Sequence, residues 1–394
     1  MNFKNLENLD PKGKKVVVRV DFNVPFKPDS NEIADTTRIL AAIPTIEHLI
    51  KSGGTAILLS HLGRPKGKKD PNLSLKPVAE KLTEILDILD IKVRFCEDFE
   101  AVKKVKKGEV AVFENTRFFE GEEKNSKDFS KKLASLGDAF VSDAFGSVHR
   151  DHASTVGIAK LIPSYAGFLV EKEVEILNEV IQKPKKPLVL IVGGAKIDTK
   201  IGVLKNFIEK ADTVLVGGAL ANTFLHAAGF EVGESLAQKE FINMAQEIML
   251  EAEKHNEKFL IPEDVVVADE LGDADDKNPA IAILAESVTS NMKIFDIGPK
   301  TREKYSEIIE NAGTVVWNGP MGLTEYESFI GGTKAVARSI IKSNSISILG
   351  GGDTTEVLER MTMSPEEFTH VSTGGGAMLE FLEGKKLPGL EVLQ

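Results

Sequence analysis

Arginine is scarce in this chain and unevenly placed. Nine arginines stand against forty lysines, and six of the nine, Arg19, Arg38, Arg64, Arg94, Arg117 and Arg150, fall within the first 170 residues. A chain that covers its surface with lysine keeps the planar guanidinium for positions that need a fixed, bidentate fork. Such a fork grips phosphate or carboxylate, so the first half reads as the site of a small polyanion. His61 lies near Arg64, and His149 and His152 flank Arg150. These histidines are either ligands of the same anion or core and capping residues. The second half is marked by glycines: Gly193-Gly194, Gly217-Gly218, Gly350-Gly351-Gly352 and Gly374-Gly375-Gly376. Glycines between a strand and a helix let backbone N–H groups approach phosphates, and the helix start adds positive potential. Taken singly, each serves equally as a tight-packing position or a helix cap. Lys196 and Lys200, four apart after the first pair, either point at phosphate or lie on a solvated helix face. Asp353 either holds Mg²⁺ against a phosphate tail or caps the next helix.

These residues need elements to hold them. Short β-branched runs alternate with helical periodicity along the whole chain. Strands are expected at 16–20, 56–59, 92–95, 110–113 and 139–141, and then at 188–192, 213–216, 258–261, 314–316, 346–349 and 369–371. Helices are expected at 75–87, 129–136, 201–210, 240–254 and 329–342. This alternation predicts parallel sheets covered on both faces, in two doubly wound α/β domains. The chemistry-bearing residues follow the strands, where ligands bind in open parallel sheets. A charged helix near 171–181 ends at Lys183-Pro184-Lys185-Lys186-Pro187, a helix breaker. The first domain is therefore expected at 1–170, a joining helix and linker at 171–185, and the second domain at 186–384. Trp317 and the methionines read as core.

Composition narrows the class. The 394 residues are too many for one ordinary core and suit two domains. No apolar run approaches the ~18 residues of a membrane span. Residues 1–6 offer no signal-peptide core, and a single cysteine, Cys96, fits a reducing compartment. A soluble cytoplasmic protein is expected. The net charge of −11 argues against a general nucleic-acid binder. It is unequally shared: residues 1–170 hold 27 Lys and Arg against 24 Asp and Glu, and the remainder 22 against 36. No GxGxxG, GxxxxGK[ST] or HExxH motif occurs, and no cysteine pair, so the dinucleotide, P-loop and structural-zinc readings lack their signatures.

Taken in order, the motifs resemble those of phosphoglycerate kinases. In the first half these are Arg19-Val20-Asp21-Phe22-Asn23-Val24-Pro25, Ser60-His61-Leu62-Gly63-Arg64-Pro65, Glu114-Asn115-Thr116-Arg117-Phe118 and His149-Arg150-Asp151-His152-Ala153-Ser154. In the second they are Gly193-Gly194-Ala195-Lys196, Trp317-Asn318-Gly319-Pro320, Gly350-Gly351-Gly352-Asp353-Thr354 and Ser372-Thr373-Gly374-Gly375-Gly376-Ala377. The resemblance implies reversible phosphoryl transfer between MgATP and 3-phosphoglycerate, giving 1,3-bisphosphoglycerate and MgADP, by a monomer that closes on its ligands. It implies that Asp21, Phe22, Asn23, Arg38, His61, Leu62, Gly63, Arg64, Arg117 and Arg150 hold 3-phosphoglycerate. Lys196, Lys200, Glu325, Gly351, Gly352, Asp353 and Thr354 would hold the nucleotide, with Glu325 on the ribose and Asp353 on Mg²⁺. Arg38, Lys200, Gly374 and Gly375 would act on the transferring group. Residues 385–394 would return to the first domain. A kinase for another carboxylate, or a non-catalytic nucleotide sensor, would share this scaffold. The sensor reading predicts a lost transition-state group, yet Arg38, Lys200 and Asp353 are all present.

The chain departs from the family pattern at four places. Asp151 replaces an alanine between the arginine and the second histidine. Asn291-Met292-Lys293-Ile294-Phe295 replaces a Gly-Trp-rich lead, and Thr324 replaces an aromatic. Asp198-Thr199 precedes Lys200 where a small residue and then Asp are usual.

Overall fold

The computed structural model describes residues 3–28, 30–254, 258–272 and 279–394, with the backbone alone at 353, 355 and 359. The chain forms two compact units, Met1–Glu175 with Lys386–Gln394, and Ile176–Lys385. The division falls inside the helix Phe168–Gln182.

In the first unit, β1 (Lys15–Val20), β2 (Thr55–Leu59), β3 (Val93–Cys96), β4 (Val110–Phe113), β5 (Ala139–Asp143) and β6 (Ser164–Ala166) form one sheet in the order β3-β4-β2-β1-β5-β6. Every pairing is parallel. Alternate residues feed two cores: Val16, Val18 and Val20 of β1 enter one, and Val17 the other. β2 divides likewise, Ala56 and Leu58 against Ile57 and Leu59. A sheet buried on both faces needs such unbroken apolar runs. Helices Thr37–Lys51 and Lys76–Asp87 cover one face through Ile39, Ile46, Val78 and Leu82. Helix Lys127–Ala134 covers the other through Phe129 and Leu133. Because all strands run parallel, the carboxyl ends of β4, β2, β1 and β5 lie side by side at one edge. The chain order reverses about β1, which opens the crevice where such sheets bind ligands.

In the second unit, β7 (Leu188–Val192), β8 (Thr213–Val216), β9 (Lys258–Leu260), β13 (Thr314–Asn318), β14 (Ile346–Gly350) and β15 (His370–Val371) form a second parallel sheet, ordered β15-β14-β13-β7-β8-β9. Trp317 is fully buried in its core. The order reverses between β7 and β13, which brings Gly193 and Asn318 together. A further sheet of β10 (Asp264–Ala268), β11 (Ile281–Leu284) and β12 (Lys293–Ile297) is antiparallel, in the order β11-β10-β12. The sequence pattern predicts parallel sheets alone and marks no strand at these positions. β11 exposes Ile281 and Leu284 and shows no clean alternation. β10 is buried on both sides, Val265 and Val267 with Leu225, Val266 and Ala268 with Phe329. Only these distant partners make a strand of it.

Candidate active site

The edge of the first sheet is a connected set of charged and hydrogen-bonding groups. Directly after β1, Asp21 takes a 2.7 Å ion pair from Arg38 Nη1. The Asp21 side chain also accepts from Asn23 N at 3.2 Å. Asn23 Oδ1 in turn accepts from Gly63 N at 2.8 Å, and Gly63 O accepts from Arg117 Nη1 at 2.7 Å. Asn115 ties the ends of β2 and β4: its Oδ1 accepts from Leu62 N and Arg117 N, and its Nδ2 donates to Leu62 O. Arg150 lies beside both histidines, with Nη1 at 3.3 Å from His61 Nε2 and Nε donating to His149 Nε2 at 3.2 Å. Asp21, Asn23, Arg38, His61, Gly63, Arg117 and Arg150 are thus gathered. Arg64 is exposed at the same edge, near enough to Arg150 to lower its pKa. Phe22 and Leu62 bury their side chains in the core and offer only backbone. Arg94, within β3, pairs with Glu109 instead.

The electrostatics fit an anion. Burial and then Arg150 lower the Arg117 pKa to about 10. Burial, followed by Arg19 and then Arg117, Arg150 and Arg38, holds His61 well below the ordinary histidine range. Burial lowers His149 and His152 to about 4, helped by Arg150 for the first and Arg117 for the second. The histidines are therefore neutral, and the positive charge rests on arginine, which cannot lose it near neutrality.

Sequence reading left two supports out of the site: Arg19, fully buried beneath His61, and Glu122, fully buried beside Ser154. Arg19 is legible as one of the clustered arginines. Glu122 has no sequence signal, because Ser154, which donates to it through both N and Oγ, lies 32 residues away.

In the second unit the glycine turns serve different ends. The N–H groups of Gly193, Gly194, Gly217 and Gly218 donate to Asn318 O, Pro320 O, Val192 O and Met321 O. Those glycines let backbones meet: a Cβ on Gly218 would lie 2.7 Å from Gly194 N. The Gly374–Gly376 turn differs. Gly375 and Gly376 open the helix Gly375–Leu382, whose first N–H groups lack partners within the helix. A Cβ on Gly375 would lie 2.7 Å from Gly351 Cα, so this turn abuts the one after β14. Gly351 has φ +110°, a conformation that favours glycine. Thr354 is buried; its Oγ1 accepts from Gly319 N at 2.9 Å and donates to Gly350 O at 3.1 Å, lacing β13 to β14.

Lys200 precedes the helix Ile201–Phe207 and its Nζ contacts Asn318 Oδ1. Asn318 also donates to Gly350 O at 2.5 Å. Lys196 is exposed on the loop after β7. Gly352 and Asp353 begin the helix Gly352–Arg360, and the side chain of Asp353 lies outside the described residues. Beside these turns a cavity of 430 Å³ is lined by Gly194, Ala195, Gly218, Ala219, Leu236, Ile294, Phe295, Pro320, Leu323, Thr324, Glu325 and Val357, among others. Apolar walls with glycine floors suit a flat ring, and exposed Glu325 stands at the rim. Phe295, Leu236 and Leu323 escaped sequence reading because nothing in their own spacing marks a pocket. Among the described residues no group of three or more His, Cys, Asp or Glu side chains converges to hold a metal unaided. Mg²⁺ does not need such a group, since it ordinarily takes one or two carboxylates plus substrate phosphates.

The family model for phosphoglycerate kinase matches residues 6–385. The chain belongs to the phosphoglycerate kinase family. It is 47% identical over 388 residues to a phosphoglycerate kinase of Pseudothermotoga lettingae, covering 98% of this chain and 97% of that protein. Against that of Chloroflexus aggregans it is 46% identical over 402 residues, covering 100% and 99%. Among solved structures, phosphoglycerate kinase from Coxiella burnetii matches with a TM-score of 0.89 at 42% identity, covering 100% of this chain and 99% of that one. That from Pyrococcus horikoshii matches with a TM-score of 0.84 at 35% identity, covering 99% and 98%. The chain is accordingly a kinase that transfers a phosphoryl group to a carboxylate. Three of its departures from the phosphoglycerate kinase pattern are accommodated. Asp151 is exposed and accepts from Asn125 Nδ2 at 2.6 Å, turned to its own loop. Ile294, Phe295 and Thr324 all line the cavity.

Proposed function

We propose that 3-phosphoglycerate binds the arginine edge of the first unit and MgATP the cavity and glycine turns of the second. The observation that carries the first assignment is the convergence of Arg38, Arg117 and Arg150 on one sheet edge beside a neutral His61. Phe22 and Leu62 contribute backbone to that edge. The cavity takes adenine, Glu325 the ribose, and Gly351, Gly352, Lys196 and Lys200 the phosphate side, while Thr354, expected there from the sequence, is buried with its hydroxyl and N–H both engaged and supports the turn instead. Asp353 is the residue that would hold Mg²⁺, which when bound offsets charge on the nucleotide phosphate oxygens.

The substrate carboxylate is already a nucleophile, so no general base is needed. Its oxygen attacks the γ-phosphorus in line; the acyl phosphate O–P bond forms while the bond to ADP breaks, and ADP keeps the electron pair. The reverse reaction runs the same path. Arg38 and Lys200 balance charge on the equatorial oxygens, and the helix start adds the Gly375 N–H, whereas the Gly374 N–H is already given to Ser372 Oγ at 3.2 Å and Gly374 contributes by shaping the turn. Asp21 holds the Arg38 guanidinium in place until the anion arrives. Since the two ligand sets belong to different units, the reaction requires closure, which also excludes water and suppresses hydrolysis.

A monomer in the cytoplasm with no nucleic-acid partner belongs to the same proposal. It is supported by the net charge of −11, by a single cysteine that is buried, and by the absence of any membrane-crossing helix among the described residues. Steady-state turnover with 3-phosphoglycerate and ATP, with and without Mg²⁺ and with the acyl phosphate removed by a coupled step, tests the reading. Turnover should need all three. ADP binding without turnover would point to another carboxylate as acceptor or to a sensor.

A further inference from the structure

His61 sits between two guanidiniums. Arg19 Nη2 lies 3.0 Å from Nδ1, and Arg150 Nη1 lies 3.3 Å from Nε2. A guanidinium only donates, and a neutral imidazole has one lone pair and one N–H. Both contacts therefore cannot be hydrogen bonds: at one ring nitrogen, two donors face each other. Burial decides which. Arg19 is 1% exposed; Nε donates to Ser154 Oγ at 2.8 Å and Nη1 to Val20 O, and Nη2 lies 3.5 Å from Ser147 Oγ but closer to His61 Nδ1. Ser154 Oγ is in turn held as an acceptor because its own hydrogen goes to Glu122 Oε1 at 2.5 Å. No anion can enter there, and an opposed donor pair so deeply buried would be costly. Arg150 is partly exposed, so an anion can reach its side of the ring. The lone pair must face Arg19 and the hydrogen must face Arg150.

We propose that Arg19 is a positioning residue that fixes the ring hydrogen of His61 on Nε2, so that His61 and Arg150 aim two donors at one anionic oxygen of the substrate. The Glu122–Ser154–Arg19 line acts on the substrate only through this ring. Without a ligand the two donors oppose each other; an arriving phosphate or carboxylate oxygen relieves the opposition and gains two hydrogen bonds. The identity of the anion rests on the substrate assignment above, whereas the position of the hydrogen does not.

Long-range ¹H–¹⁵N spectra of the full chain at pH 7, with His61 assigned from His61→Gln, read the tautomer directly. The expected pattern is a protonated Nε2 and a bare Nδ1. A hydrogen on Nδ1, or an imidazolium, overturns the inference without any variant at Arg19. Arg19→Lys keeps a donor and should keep the pattern. Arg19→Met should mix the tautomers and raise the KM for 3-phosphoglycerate about tenfold, as for a lost charged hydrogen bond, with kcat and nucleotide KM unchanged. An unmixed Nε2–H tautomer in Arg19→Met would remove Arg19 from the role. If the tautomer is as expected but the Nε2 signal ignores added 3-phosphoglycerate, the substrate assignment fails while the role of Arg19 stands.

Discussion

At the scale of the residue, charge and proton are kept on different side chains. Arginine carries the positive charge at the first sheet edge, and the histidines beside it stay neutral because burial and the arginines oppose their protonation. Arg38, which we propose acts on the transferring group, is held by Asp21 at 2.7 Å. Arg38→Ala should lower kcat on the order of a hundredfold and leave nucleotide KM nearly unchanged. A loss confined to ADP binding would refute that role. The histidines also set a pH dependence. His149 and His152 titrate near 4 in the fold and near 6.5 when unfolded. Between those values the unfolded chain binds protons that the folded chain refuses. The stability they contribute is present above pH 6.5 and is lost as the pH falls toward 4. Calorimetry across that window should show a falling unfolding temperature, with a shallower slope in the His149→Gln, His152→Gln double variant.

At the scale of the element, two buried aspartates tie the antiparallel sheet to the helices behind the cavity. Asp264, at the start of β10, accepts from Lys300 N, Thr301 N and Thr301 Oγ1 and so caps the helix Pro299–Glu310. Asp264→Ala leaves those donors buried and should cost about 2–3 kcal/mol in urea denaturation. Asp296, on β12 next to the cavity residue Phe295, accepts from Arg302 and from Gly332 N, each at 2.7 Å. Burial raises its pKa to about 7, and Arg302 opposes that rise. The sign follows: stability from Asp296 is full below its ordinary 3.8 and lost as pH rises through about 7. Arg302→Met strands the carboxylate and should cost about 3 kcal/mol at pH 8 but clearly less at pH 5.5, where Asp296 takes up a proton. Equal losses at both pH values would mean that another group is responsible.

At the scale of the whole molecule, the chain ends by returning to the unit it began. Leu387, Leu390 and Leu393 are buried in the first unit, and Gly389 N donates to Val148 O at 2.8 Å. A Cβ on Gly389 would lie 2.8 Å from Val148 Cα, so only glycine lets the tail lie against the backbone that leads to His149 and Arg150. Deleting Lys386–Gln394 should cost the first unit about 5 kcal/mol, from three leucines at roughly 1.5–3 kcal/mol each. It should weaken 3-phosphoglycerate binding and spare ADP binding. Titration calorimetry with each ligand separates the two, and equal weakening would show that the tail supports more than its own unit.

Local chemistry and short periods are written along the chain, and these are what the sequence by itself determined. Unbroken apolar runs between helical segments predicted the parallel sheets, because burial on both faces leaves no polar alternation to hide. Arginines and glycines near the ends of those strands raised the expectation of an anion site and a nucleotide site there, because parallel strands end at one edge. Tertiary structure decided what depends on partners remote in sequence. It paired β10 with β11 and β12, and it walled the cavity with Phe295 and Leu236. It also divided the glycines into those whose N–H groups already serve the backbone and those that open a helix. Most plainly it placed Arg19 beneath His61, for a residue type states what a side chain can donate, and only its buried neighbours state where the proton must go.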